Sequence, residues 1–385
     1  MKKSICILSF SNIAWDSRVL REIEMARKHF RVDVIGYGDW QAPTGVHFFS
    51  LNRKSVFFIL KYSLLFGGLI IPELFSIYFW LKPQYQKALT LLKNNHYDLI
   101  HANDWDALPV ACEYNRFSKA KIIFDAHEYN LDKDKSSVFG FLYQRYFTFL
   151  FNKYGDLVNE RITVASSIEK LYRKHFDWKF EIIINAPDFT PIYYKPVNPS
   201  YIHLVHHGRA APARNLEEII DLVKYLDNRY YLHMYLTPSI PGYLESLKKR
   251  AGNYSGHVVI HDPVRPKELI LEISQYDIGI PLIKADKDSY FYSLPNKFFD
   301  YIMAGLMVIV SPLPMMVDMI DKYEVGLYSN AFTLESIAEM VNSLSTNDLN
   351  KYKKNSIRAS KELNSEIEMK KLFNIYKQLL DVKKN

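Results

Sequence analysis

Short apolar runs alternate with segments of helical spacing along almost the whole sequence, and this alternation restricts the fold more than any other feature. Residues 4–10 and 202–206, for example, have the length and composition of buried strands. Strands that alternate with helices predict parallel sheets covered by helices on both faces. We therefore expect an α/β protein made of doubly wound, Rossmann-like domains.

A proline-rich stretch divides the alternation into two blocks. Four prolines between residues 187 and 199 interrupt both helix and sheet, and the pattern restarts after them. A chain of 385 residues is also long for a single core. We predict an N-terminal domain over residues 1–190, a C-terminal domain over 191–365, and a terminal helix over 366–385 that packs back toward the first domain.

Charge and cysteine content exclude several classes of protein. The net charge is 49 − 42 = +7, with no dense stripe of Lys and Arg, so nucleic acid is not an expected partner. Cys6 and Cys112 are the only cysteines and lie far apart. Both are expected to be small core residues without a disulfide framework, which predicts a cytoplasmic location.

Residues 56–81 form the most apolar and aromatic stretch of the chain. Lys61, Glu73, Pro72 and a Gly-Gly pair interrupt it, and charges are costly within a membrane span. Three interpretations stay open: a true span, an anchor that lies on the membrane surface, and buried or interdomain helices. A peripheral contact with the inner face of the plasma membrane is therefore a possible partner interaction.

Residues 293–305 carry the strongest signal for ligand binding. Ser293 suits the capping position of a helix, Pro295 its first turn, and Gly305 its end. The N-terminus of such a helix presents N–H groups and a positive dipole end to a diphosphate. A capped helix whose polar residues simply face water is the alternative.

Three polar residues on this helix fit a nucleotide. Asn296 and Asp300 are four residues apart and therefore share one face. Asp300 could accept hydrogen bonds from both ribose hydroxyls, as acidic residues do in other nucleotide sites. Lys297 could neutralise phosphate charge.

A second polar cluster follows the strand at residues 202–206. Gly208 permits a close approach to the backbone, and Arg209 and Arg214 flank a short loop from which both could reach one anion. Ordinary surface charge is the alternative for the two arginines. The sequence contains neither a G-x-G-x-x-G fingerprint nor a Walker A loop, which disfavours a dehydrogenase or a P-loop enzyme.

Taken in order, these motifs resemble the family 4 retaining glycosyltransferases of GT-B fold. The C-terminal part of the resemblance is Gly-Arg at 208–209, a basic residue before the next helix, and Leu-Pro-Asn-Lys at 294–297 followed by Asp300. The remaining similar segments are 16–22, 98–104, 124–128, 164–168 and 185–188. The resemblance implies two Rossmann-like domains that face each other across a cleft.

The family resemblance also implies roles in donor binding. Arg209 and Arg214 would bind the diphosphate and stabilise the leaving nucleotide. Asp300 would hold the ribose, and backbone groups of Ser293 and Leu294 would meet the phosphates. The resemblance implies further donor contacts for Asn12, Gly208, Val264 (at the base), Asn296 and Lys297.

On the acceptor side, the resemblance places His127 near the transferred sugar as a catalytic residue and turns Asp16 toward the acceptor. One position departs from the family, which usually has two glutamates separated by seven residues. Asp300 stands at the second of these positions and Tyr292 at the first. Because the first carboxylate faces the donor sugar in the family, Tyr292 removes that contact and leaves sugar recognition and catalytic competence open.

These observations predict a metal-independent, retaining transferase without a cofactor. It would move a hexose or N-acetylhexosamine from a nucleotide-sugar, most simply a UDP-sugar, to a saccharide or lipid-linked saccharide in surface glycan synthesis. Two alternatives stay open: a GT-B-type nucleotide-sugar epimerase, which needs no acceptor, and a non-catalytic nucleotide-sugar-binding partner of a glycan-synthesis complex.

Overall fold

The chain divides into two compact units. Unit 1 comprises Met1–Ile184 and Met369–Asn385, and unit 2 comprises Asn185–Glu368. The computed structural model describes residues 2–53, 55, 58–131, 137–254, 256–282, 292 and 294–381.

The sheet of unit 1 is parallel throughout its described strands. Its order is β3-β2-β1-β4-β5-β6-β7, so the chain runs outward from β1 to one edge and then returns to extend the other side. The strands are β1 (Ser4–Asn12), β2 (Arg31–Tyr37), β3 (Val46–Leu51), β4 (Leu99–Asn103), β5 (Lys121–Ala126), β6 (Glu160–Thr163) and β7 (Glu181–Ile182). This order is that of a doubly wound sheet.

Helices connect most of these strands, as is usual for parallel pairing; β2 and β3 are the exception, since only residues 38–45 join them. They are α1 (Ser17–Arg27), α2 (Phe58–Gly67), α3 (Glu73–Trp80), α4 (Pro83–Lys93), α5 (Asp104–Asn115), α6 (Val138–Tyr154) and α7 (Ser166–Phe176). The apolar stretch at 56–81 therefore contains two separate short helices, α2 and α3. Over the ranges that the structure describes, no helix is both long and apolar enough to cross a membrane.

Unit 2 repeats the same topology. Its parallel sheet has the order β10-β9-β8-β11-β12-β13 over the described residues. The strands are β8 (Ile202–Ala210), β9 (Tyr230–Pro238), β10 (Val258–His261), β11 (Ile278–Gly279), β12 (Met307–Val310) and β13 (Gly326–Tyr328). The predicted α/β class with two doubly wound blocks is confirmed.

The helices of unit 2 flank this sheet, and a last helix begins at Ser365 in unit 2 and continues into unit 1 from Met369. They are α8 (Leu216–Asp221), α9 (Tyr243–Ala251), α10 (Leu269–Ile273), α11 (Asn296–Met303), α12 (Pro314–Tyr323), α13 (Leu334–Asn342), α14 (Thr346–Ala359) and α15 (Ser365–Leu379). In unit 1, Leu372, Ile375 and Tyr376 of α15 lie in the same apolar cluster as the buried side of β1 and β2. The C-terminal residues thus complete the core of the first unit.

Some elements have no counterpart in the sequence prediction. Strand β3 pairs with β2 although its residues are only partly apolar, and α14 begins with a capping box formed by Ser345 and Asp348. Cys6 and Cys112 are both buried and free, as predicted.

Candidate functional sites in the two units

The strand order of unit 2 places a topological switch point at the carboxyl edge of its sheet, that is, the edge where its parallel strands end. Strands β8 and β11 are neighbours, yet the chain leaves them in opposite directions, and ligands of doubly wound folds bind at the carboxyl ends of such strands. Gly208 lies near the end of β8 with a φ of +141°, which side chains rarely adopt. A Cβ atom there would lie 3.3 Å from the Nζ atom of Lys297, so the glycine leaves space beside that amine.

Helix α11 is held against this edge by Tyr301. The ring packs on Gly279 of β11 so closely that a Cβ atom there would lie 2.2 Å from Cγ of Tyr301. The Tyr301 hydroxyl also accepts a hydrogen bond of 3.1 Å from the backbone N–H of His207. Together these contacts fix the first turns of α11 next to the end of β8.

The start of α11 differs from the prediction. The helix begins at Asn296, and Pro295 occupies the capping position with an extended backbone. The Pro295 carbonyl accepts the first turn's bond from the N–H of Phe298 at 3.0 Å. The proposed cap at Ser293, with Pro295 inside the first turn, is therefore wrong, because Pro295 itself turns the chain into the helix. Ser293 lies outside the described residues.

Lys297 donates to a buried histidine. Its Nζ atom lies 3.2 Å from Nε2 of His206, and Nδ1 of His206 lies 2.8 Å from the carbonyl oxygen of Ile280. A carbonyl can only accept, so Nδ1 carries the proton and Nε2 is the acceptor for the amine. Burial, and then Lys297, lower the pKa of His206 well below its usual value, so this ring is neutral.

The charges around Lys297 are unevenly balanced. Burial lowers its pKa, the cation of Arg214 lowers it further, and the carboxylate of Asp300 offsets only part of this, which leaves a value of about 7. Burial and Lys297 also lower the pKa of His207 to about 3. Neutral His207 presents Nε2 at 3.4 Å from Oδ2 of Asp300. The cluster can therefore accept negative charge.

The structure thus brings together four of the predicted donor residues: Gly208, Arg214, Lys297 and Asp300. Arg214 ends a 3-10 turn, Pro212–Arg214, and lines a shallow pocket with Asn215, Leu282 and Ser311. Arg209, the residue that follows Gly208, has an exposed side chain.

The other predicted donor residues of unit 2 are less closely tied to this cluster. Leu294 is half-buried before α11, and Asn296 accepts a hydrogen bond of 2.9 Å from the side chain of Asn185. Val264 is half-buried in the loop after β10, two strands away from β8 in the sheet order.

Unit 1 contains a buried ionic network near the carboxyl ends of β4 and β5. Arg18 of α1 donates to both oxygens of Asp125, at 2.7 Å from Nε and 3.0 Å from Nη2. Its third contact is the carbonyl of Ile183 at 2.8 Å. Arg18 is 3% exposed and Asp125 is completely buried. Burial raises the pKa of Asp125, but Arg18 and His127 outweigh it and hold it well below its usual range.

His127 is joined to this network. Its Nε2 atom lies 2.9 Å from Oδ1 of Asn103 and 3.5 Å from Oδ2 of Asp125, and its Nδ1 atom lies 3.4 Å from Oδ2 of Asp104. Burial lowers the pKa of His127, but the carboxylates of Asp104 and Asp125 outweigh burial and raise it to about 10. At neutral pH His127 is an imidazolium that contacts acceptors through both ring nitrogens.

Apart from His127, the side chains of this network were missed by sequence reasoning, and they include Glu22, His101 and Tyr376. Glu22 accepts a hydrogen bond of 3.1 Å from Asn103, and His101 contacts the Tyr376 hydroxyl at 2.6 Å. One ligand atom from each of Glu22, His101 and Asp125 lies within 4.8 Å of the other two, a grouping that could hold a metal ion. Arg18 already supplies a cation there. The spacing of Arg18 and Glu22 on one helix face was a usable signal, whereas nothing in the sequence pointed to Tyr376.

Asn12 was expected after the first strand but is its last residue, whereas Asp16 follows the strand; structural contacts occupy both side chains. Asn12 ends β1 and packs its amide against the backbone of Gly38. Asp16 caps α1, where its carboxylate accepts a hydrogen bond of 3.2 Å from the backbone N–H of Val19.

Solved structures resemble the chain over nearly its whole length, although no protein-family model and no curated protein matches its sequence. Sucrose-phosphate synthase from Thermosynechococcus elongatus is 14% identical, with a TM-score of 0.74 over 99% of this chain and 100% of that one. HepE from Anabaena in complex with UDP is 13% identical, with a TM-score of 0.69 over 98% and 100%. A glycosyltransferase from Rickettsia africae is 14% identical, with a TM-score of 0.68 over 99% and 100%. At such identities the likeness establishes the fold: the chain has two Rossmann-like units of the GT-B type that these glycosyltransferases share.

Proposed function

We propose that this protein is a glycosyltransferase that binds a nucleotide-sugar donor in unit 2. The observation that carries the proposal is the convergence of Gly208, Arg214, Lys297 and Asp300 at the switch point of the unit 2 sheet. Support also comes from the fold, which is shared with HepE, a protein solved in complex with UDP and with UDP-glucose.

Each residue has a role that its chemistry suits. The diphosphate binds beside Gly208, where Lys297 and Arg214 supply positive charge and the N-terminus of α11 supplies N–H groups. Asp300 accepts hydrogen bonds from the ribose. Arg209 adds a second guanidinium for the phosphates. Val264 and Leu294, with backbone groups of Ser293, complete the donor contacts.

The proposed reaction is a retaining transfer that uses no metal. The bond between the anomeric carbon and the diphosphate oxygen breaks, and an acceptor hydroxyl attacks the same face of the sugar. Its proton passes to the departing phosphate, whose charge Arg209 and Arg214 stabilise. In unit 1 we propose His127, an imidazolium at neutral pH, as a catalytic residue, Asp16 as an acceptor-side residue and Asn12 as a further donor contact.

The acceptor is proposed to be a lipid-linked saccharide because unit 1 exposes a large apolar surface. This apolar surface consists of Ile59, Leu60, Phe66, Leu69, Ile70, Ile71, Val138, Phe139 and Phe141. Ile70 is 84% exposed and Ile59 is 79% exposed, and the rings of Tyr62 and Phe139, 4.9 Å apart, join α2 to α6. Patches of this kind mark membrane or protein contacts.

Asp300→Ala tests the donor site. We expect the variant to lose at least about tenfold in activity at limiting donor, because a hydrogen bond to a charged group contributes about 1.5–3 kcal/mol. Release of the nucleoside diphosphate, measured at several donor concentrations, gives KM and kcat separately. The loss should appear mainly in KM.

Asp318→Ala is the matched control, since Asp318 is an exposed carboxylate of the same unit on α12. Its kinetics should equal those of the wild type. Unchanged turnover of Asp300→Ala at limiting donor would exclude Asp300 from the site.

The membrane contact is tested by the double variant Ile70→Glu/Phe139→Glu. We expect the wild type to sediment with vesicles that contain anionic lipid, and the variant to partition at least roughly tenfold less, because two apolar groups no longer enter the interface. Co-sedimentation with the vesicles at low salt measures the bound fraction of the wild type and of the double variant.

Leu271→Glu serves as the control because Leu271 is 60% exposed on α10 of unit 2. It should sediment like the wild type. If the wild type stays in the supernatant, or if the double variant sediments equally well, the apolar surface has no membrane role.

A second candidate function is nucleotide-sugar binding without catalysis. Tyr292, at the position where the resembling family has a carboxylate, favours it. Binding of a UDP-sugar without turnover on any saccharide acceptor would support this candidate over the transferase.

A further inference from the structure

The amine of Lys297 lies where an incoming anion would change its protonation. It is half-buried and donates to Nε2 of His206 at 3.2 Å, and that nitrogen carries no proton because Nδ1 faces a carbonyl. Both a neutral amine and an ammonium can donate this hydrogen bond. The contact therefore holds the group in place without fixing its charge.

Among the residues that the structure describes, the groups that face Lys297 come from three segments. His206 and His207 of β8 are neutral, Arg214 of the 3-10 turn is a permanent cation, and Asp300 of α11 is the carboxylate. The carboxylate of Asp300 interacts with His207 as well as with Lys297, since its Oδ2 atom lies 3.4 Å from Nε2 of His207. One carboxylate thus offsets both the burial of the amine and the cation of Arg214, and near neutral pH the proton on Lys297 is held only weakly.

Gly208 opens a path from this amine to a ligand. Because its missing side chain would lie 3.3 Å from Nζ of Lys297, an anion that approaches the Gly208 backbone comes next to the amine. A diphosphate brings at least two negative charges, and a nearby opposite charge favours the protonated form of lysine.

We infer that Lys297 takes up a proton from solvent when a diphosphate binds beside Gly208, so that donor binding and protonation are coupled. The proton stays on Nζ and serves as counter-charge to the phosphates. The inference rests on the proposed donor site and adds a proton to its binding step.

The coupling fixes the sign of the pH dependence. The free amine has a pKa of about 7, and the bound amine has a higher one. Below about pH 7 the proton is already present, and affinity is flat. Above it, each bound ligand must also recruit a proton, so affinity falls by up to about tenfold per pH unit.

Calorimetry with UDP-glucose measures the uptake directly. Each phosphate of this ligand carries one sugar ester and the shared anhydride bond, and therefore a single fixed negative charge, so any proton taken up belongs to the protein. Titrations at about pH 8 in buffers of different ionisation enthalpy should give an uptake between roughly 0.4 and 0.9 proton per ligand, from a free pKa of about 7 that rises by one unit or more on binding. The variant Lys297→Arg carries a permanent charge at this position. It should therefore bind UDP-glucose without proton uptake at residue 297, and its affinity should not change with pH.

The control is Lys224→Arg, an exposed lysine of the same unit, which should keep the wild-type uptake. Pulse acetylation of free protein read by mass spectrometry gives a second measurement, in which Lys297 should titrate near pH 7. With UDP-glucose the Lys297 midpoint should rise by more than about one unit.

The outcomes separate the two proposals. Binding of UDP-glucose without proton uptake, or an ordinary titration of Lys297 in the free protein, overturns the coupling and leaves the donor site intact. Failure of UDP-glucose and other nucleotide-sugars to bind at all overturns the proposed function.

Discussion

Replacement of Asp125 by asparagine is expected to destabilise unit 1 by about 3–5 kcal/mol, the usual cost of a buried charge that loses its partner. Asp125 is fully buried, and both its oxygens accept from Arg18, which is 3% exposed. Asparagine keeps the shape but removes the negative charge. Glu22 lies 3.4 Å from Arg18, but burial raises the pKa of its carboxyl, so it compensates poorly.

The tryptophans make this measurement specific to one unit. All five, Trp15, Trp40, Trp80, Trp105 and Trp178, lie in unit 1, so their fluorescence in a urea titration follows that unit alone. Glu24→Gln is the control, because Glu24 forms an exposed pair with Arg27 on α1. It should cost under about 1 kcal/mol. An equally small loss for Asp125→Asn would mean that the network does not stabilise the unit.

Arg214→Ala is expected to lower donor turnover by about 100- to 1000-fold, the range seen when one preorganised donor to a developing negative charge is removed. Arg214 is exposed and close enough to Lys297 and His206 to lower the pKa of each. Its guanidinium can donate two parallel hydrogen bonds to a phosphate. Arg214→Lys keeps the positive charge but cannot donate two parallel hydrogen bonds, and it should lose less turnover than Arg214→Ala.

Initial rates of nucleoside diphosphate release at saturating donor give this comparison. Arg250→Ala is the control, since Arg250 is a partly exposed arginine on α9 that pairs with Asp221 away from β8 and α11. A loss of less than about threefold for Arg214→Ala would contradict its role in stabilising the leaving group.

The fold could be predicted from the sequence because its signal is local and repeated. Buried strands such as β1 and β8 appear as short apolar runs, and parallel pairing follows from the helices between them. β3 was missed because Val46–Leu51 mixes polar and apolar residues at an edge of the sheet, where burial is one-sided.

The donor cluster was partly predictable, since Gly208, Lys297 and Asp300 belong to compact motifs. His206 was not, because its role depends on the carbonyl of Ile280, which follows strand β11 and is distant in the sequence. Most of the ionic network of unit 1 was beyond reach for the same reason, although the i,i+4 spacing of Arg18 and Glu22 was a usable signal. Arg18 and Asp125 are 107 residues apart, and His101 and Tyr376 are 275 apart.

The capping error at the start of α11 has a simple origin. Serine followed by proline matches a common helix start, but that pattern does not say which residue turns the chain. The extended backbone of Pro295 moves the start to Asn296. This matters for the site, because the first N–H groups of the helix belong to Asn296 and Lys297 rather than to the residues before them.

A calorimetric titration with UDP-glucose tests the central claim most directly, using the wild type and the double variant Arg214→Ala/Asp300→Ala. Neither side chain is fully buried, so the variant should remain folded, which a thermal melt checks. The expected result is saturable binding at one site in the wild type and at least roughly 100-fold weaker binding in the variant. Equal binding by both proteins, or none by the wild type to any nucleotide-sugar, would contradict a donor site at this edge of the unit 2 sheet.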